Sequence, residues 1–152
     1  MKRSFFALCA AFLFMSAGAQ ATSPCIPQTP EQFAELKASA ELIVRVSIVD
    51  YHAEAENPHH ENSWTQADVL HTYKGDAGAT RIKISGWTSY AEPLYVQDRG
   101  SEAVLLLMRA GDAWRLADMS WKSCVPAVIG IPPAMDAARK DAFIQSQLGV
   151  IE

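Results

Sequence analysis

The chain has 152 residues, 49% of them hydrophobic and 20% charged, with 17 acidic side chains against 13 basic ones. Those proportions describe a globular domain with enough apolar residues to build a core, and they exclude low-complexity disorder. The net charge of −4, without any block of lysine or arginine, argues against binding to the phosphate backbone of nucleic acid.

The first 21 residues stand apart from that domain. Lys2 and Arg3 precede an apolar run from Phe5 to Met15, and Ala19-Gln20-Ala21 offers small residues at the two positions that a signal peptidase reads. The order is that of a secretory leader, with an apolar run too short to span a bilayer. Cleavage after Ala21 removes two basic groups and takes the charge from −4 to −6. An exported product, periplasmic or secreted and free of the membrane, is expected. Cys9 leaves with the leader, and Cys25 and Cys124 remain as an even pair in an oxidising compartment, so they are expected to form a disulfide. The two lie about a hundred residues apart, a loop whose closure contributes up to about 4–5 kcal/mol on chain entropy alone.

Along the mature chain, Thr29-Pro30-Glu31-Gln32 opens a short helix with a capping threonine, proline at the first helical position and glutamine three residues past the cap. Leu42 to Val49 alternates as a strand, with Leu42, Val44, Val46 and Ile48 on one face. Ala53 to Asn62 is a polar surface loop. A second strand runs from about Trp64 to Tyr73, with Ala67, Val69, His71 and Tyr73 on its apolar face. Lys74-Gly75-Asp76-Ala77-Gly78 is turn chemistry, and Arg81 to Ser85 completes a hairpin. Val104 to Met108 is apolar throughout, as a strand buried on both faces would be. Ala110-Gly111-Asp112 turns that run into a fifth strand, Trp114 to Ala117. Beyond Pro126, Pro132 and Pro133, a helix is predicted from about Ala134 to Leu148.

Five short strands flanked by two helices predict a mainly β fold: a small five-stranded OB-type barrel whose closure removes exposed strand edges. The domain boundaries are then 1–21 for the leader, 22–133 for the barrel and 134–152 for the C-terminal helical segment.

Ser39-Ala40-Glu41-Leu42-Ile43-Val44-Arg45-Val46, after an early cysteine and a short helix, resembles the approach to the first strand in netrin-like OB domains. Ala67-Asp68-Val69-Leu70-His71-Thr72-Tyr73-Lys74-Gly75 is similar to their second strand, which commonly ends in an aromatic-Lys-Gly turn. Cys124 stands where such domains often tie the chain's start to the end of the barrel. The likeness covers about residues 25–124 and includes the tissue inhibitors of metalloproteinases and bacterial relatives. In those inhibitors the first mature residue is a cysteine whose amine and carbonyl chelate the enzyme's zinc. Here Thr22-Ser23-Pro24 would precede Cys25.

Among sites, His59-His60-Glu61 with His52 upstream is the cluster of metal-ligand types. Trp64 stands where the second histidine of a helical H-E-x-x-H pattern would be, so a solvated loop is the expected state and no metal is assigned. His71 is expected as a core or edge histidine satisfied by a hydrogen bond. No strained-serine elbow, dinucleotide fingerprint or phosphate loop is present, and neither a cofactor nor catalysis is expected. Aromatic residues are plentiful. Trp114 is expected to fill the core, while Trp87, Tyr90 and Tyr95 are candidates for a protein or saccharide contact. The leading expectation is an exported, non-enzymatic module that binds another protein. The alternatives are a protease inhibitor inserting residues 22–27 into an active site, and a small metal-dependent enzyme using His52, His59 and His60.

Overall fold

A computed structural model of the protein describes residues 29–53, 62–87, 99–118 and 127–149. The elements are α1 (Pro30–Ser39), β1 (Leu42–His52), β2 (Trp64–Lys74), β3 (Arg81–Ser85), β4 (Glu102–Ala110), β5 (Ala113–Leu116), β6 (Val128–Ile131) and α2 (Ala137–Leu148). Helix α1 starts as its sequence dictates. The Thr29 hydroxyl accepts from the Gln32 N–H, the Gln32 side chain accepts from the Thr29 N–H at 2.8 Å, and Pro30 opens the first turn.

The strands close into a five-stranded barrel. β1 pairs antiparallel with both β2 and β4, β2 with β3, and β4 with β5. A parallel contact of β3 with β5, at Ile84 and Trp114, completes the ring. This is the OB-type architecture expected from the strand pattern. Leu42, Val44, Val46 and Ile48 are all buried, as alternation requires, and Ala103 to Leu107 are buried without a break. β4 has strands along both edges and α1 across part of it, and Ala103 to Leu107 have no exposed surface on either face.

The sixth strand, β6, lies outside the predicted set. It pairs with Glu102–Leu105 along the edge that the short β5, confined to Leu107–Ala110, leaves open. Helix α2 begins three residues later than expected, because Asp136 is its N-cap and accepts from the Arg139 N–H at 2.9 Å. Ile144 and Leu148 of α2 are buried, and the Lys37 ammonium of α1 donates to the Leu148 carbonyl at 2.5 Å.

The Lys-Gly turn has a definite mechanical role. Lys74 Nζ donates to the carbonyls of Lys37 and Ala38 at 2.9 and 2.8 Å, satisfying the end of α1 from across the barrel. Gly75 follows at φ +78°, where an added Cβ would strike the Glu41 carbonyl.

Candidate functional site

The pairing of β1 with β2 is interrupted. Val44 faces Thr72 while Ile43 faces Lys74, and Val46 faces Val69 while Arg45 faces His71. Tyr73 and Leu70 are therefore extra residues on β2, one at each of two β-bulges. A bulge shifts the in–out alternation by one residue and re-aims the side chains beyond it. For this reason His71, placed on the apolar face by strict alternation, is exposed in the structure. Leu70 is 49% exposed, the one large hydrophobic side chain so exposed among the described residues.

The bulged end of β2 and helix α2 enclose a groove of about 440 Å³, lined by Arg45, Leu70, His71, Tyr73, Asp141, Ile144 and Gln145. Its size suits one or two side chains of a partner. His71 meets Tyr73 edge-on, with ring centroids 4.6 Å apart. Burial pushes the Tyr73 phenol above its ordinary pKa; the Arg45 charge opposes that shift and Asp141 adds to it. The phenol is neutral at pH 7 and able to donate. Among the described residues that line the groove, Tyr73 carries the one hydroxyl, and there is no serine, threonine or cysteine.

One wall is held by a charge cluster. Arg45 of β1 meets Glu102 of β4 at 2.6 Å, and Lys140 of α2 meets the other oxygen of the same carboxylate at 2.6 Å. The three side chains are 18%, 20% and 17% exposed. Arg45 also reaches Asp141 at 3.4 Å, on the solvent side. Burial alone would raise the Glu102 pKa, but the hydrogen bonds and charges of Lys140 and Arg45 outweigh it and hold the carboxyl below its ordinary value. The cluster fixes α2 against the barrel and with it the width of the groove.

The residues predicted for contact are divided. Trp87 is fully buried in the core, and its carbonyl accepts from the Thr65 hydroxyl, so it presents no surface to a partner. Tyr90 and Tyr95 lie outside the described residues, as do His59, His60, Glu61, Cys25, Cys124 and the segment 22–27. His52 is exposed at the end of β1, its ring 6.0 Å from that of Trp64 and stacked at 26°. Among the described residues no group of three His, Cys, Asp or Glu side chains is placed to hold a metal. The groove around Leu70 was not predicted. Its signal in the sequence is an aliphatic residue in the polar register of β2, between Asp68 and Thr72.

No family model matches this chain, and no curated protein matches it.

Proposed function

We propose that the chain is an exported, non-enzymatic binding module that contacts another protein, and that the groove between the bulged end of β2 and α2 is its contact site. The observation that carries this reading is Leu70. A large aliphatic side chain half in water is held in place by a bulge, beside an apolar floor at Ile144 and two charged groups that can orient a partner. Export and the Cys25–Cys124 disulfide belong to the same proposal and rest on the leader and the cysteine parity. The netrin-like relationship rests on the sequence likeness alone.

The test is Leu70→Asp in the full chain. The residue is exposed, so the folded protein keeps its stability to within about 0.5 kcal/mol. Affinity for a partner purified with the wild-type protein falls by about 2 kcal/mol or more, roughly thirtyfold. Unchanged affinity would place the contact elsewhere.

A further inference from the structure

A second surface lies where the β2–β3 turn meets the β4–β5 turn. We infer that it binds carboxylate side chains of a short acidic peptide segment, through Arg109 and Lys83. It shares no residue with the Leu70 groove, and either assignment stands without the other.

The pocket measures about 350 Å³ and is lined in part by small residues, Ala77, Gly78 and Ala79. Its cations are of two kinds. Arg81 is committed, since its guanidinium meets both oxygens of Asp68 at 2.6 and 3.1 Å. Arg109 and Lys83 form no ion pair with any described residue, and each is held over an indole instead. The Arg109 guanidinium carbon is 3.9 Å from the centroid of the Trp114 ring, and Lys83 Nζ is 5.5 Å from that of Trp64. Trp114 is itself buried and fixed by the β3–β5 contact that closes the barrel.

A guanidinium stacked in this way has already lost rotamer freedom and part of its hydration. Its N–H edges remain available for a two-point contact with a carboxylate. Asp112 is the one carboxylate lining the pocket, against Arg81, Lys83 and Arg109. Glu41 accepts from the Arg109 backbone N–H at 3.3 Å without lining it. The lining itself carries an excess of cationic side chains on a chain whose net charge is −4. That contrast selects the length of the ligand. A long polyanion would run beyond the pocket onto an acidic protein, whereas a short acidic segment keeps its charges within about a Debye length of the two cations.

The experiment titrates the full chain with acetyl-tetraglutamate amide and, in parallel, with the tetraglutamine peptide, read by two-dimensional NMR. Saturable binding of tetraglutamate below about 5 mM, absent for tetraglutamine, is expected. Arg109→Gln and Lys83→Gln each weaken it by about ten- to a hundredfold, the loss of a charge-assisted hydrogen-bonded contact. Arg109→Lys keeps the charge but not the planar fork, and falls between. Arg115→Gln, on the same barrel but outside the pocket, leaves binding intact. Equal binding of both peptides, no saturation, or an unchanged affinity in Arg109→Gln would each overturn the assignment. So would dextran sulfate binding that needs Arg109 and Lys83 while tetraglutamate fails to bind, a result that would make this an anionic-saccharide site.

Discussion

Replacing Gly75 by alanine tests whether the Lys-Gly turn fixes the position of α1 and β1. Two costs arise. The first is the left-handed backbone at φ +78°, about 1–2 kcal/mol for a residue with a Cβ. The second is the collision with the Glu41 carbonyl, whose carbon lies 3.2 Å from the new atom and is followed by Leu42 Cα at 3.4 Å. That backbone cannot retreat freely, because the Glu41 N–H donates to the Leu107 carbonyl at 2.9 Å and Leu42 is fully buried. Displacing it adds about 1–3 kcal/mol for a weakened buried hydrogen bond and a similar amount for strained packing. The expected total is about 3–8 kcal/mol, a large part of a domain's stability. Gly111, at φ +61° with nothing within 4 Å of an added Cβ, is the control. Gly111→Ala carries only the backbone cost, about 1–2 kcal/mol. Thermal unfolding followed by tryptophan fluorescence measures both. At about 3–6 °C per kcal/mol, the collision cost of about 2 kcal/mol or more should separate the melting temperatures of the two variants by about 6 °C or more. Equal destabilisation of the two would refute the argument that Gly75 is fixed by close approach.

Glu102 predicts a pH dependence. Its pKa is lower in the folded protein than in the unfolded chain, so its stabilisation is present above the unfolded value and is lost as the pH falls through the folded value. Glu102→Gln should cost about 1–3 kcal/mol at pH 7, and its melting curve should converge with wild type below the carboxylate range; parallel curves would contradict the sign. Lys74→Met removes the donor to the Lys37 and Ala38 carbonyls and should cost about 1 kcal/mol, with faster amide exchange confined to α1. On the proposed export and disulfide, intact mass and N-terminal sequencing should find Thr22 first and two hydrogens missing. A start at Cys25 would instead expose its amine, as in the metalloproteinase inhibitors, and direct attention to protease inhibition.

Much of the barrel was legible because its strands obey simple periodicities. The alternation of Leu42, Val44, Val46 and Ile48 and the unbroken run Val104 to Leu107 translate directly into one-faced and two-faced burial. The cap at Thr29 was equally local. β6 was not legible, because Val128–Ile131 is four residues among prolines and becomes a strand only through the β4 edge that β5 leaves free. The groove was hidden for a related reason. A bulge is a property of two paired strands, so alternation read along β2 alone carries straight through Leu70 and misplaces His71. Trp87 shows the converse, since an aromatic residue on an irregular segment has the same composition signal whether it serves a partner or the core. The Arg109–Trp114 stack joins β4 to β5 across the tight turn at Gly111 and Asp112, and no spacing rule announces it.

The proposed contact site is tested most directly by site-specific photo-crosslinking. A photoreactive amino acid is placed at position 70 of the full chain, and in a second protein at Arg115, an exposed position on β5. One discrete adduct is expected from position 70, identified by mass spectrometry as a single protein, lost when purified wild-type chain is added in excess, and missing from position 115. No adduct at position 70, or the same set of adducts from both positions, would contradict it.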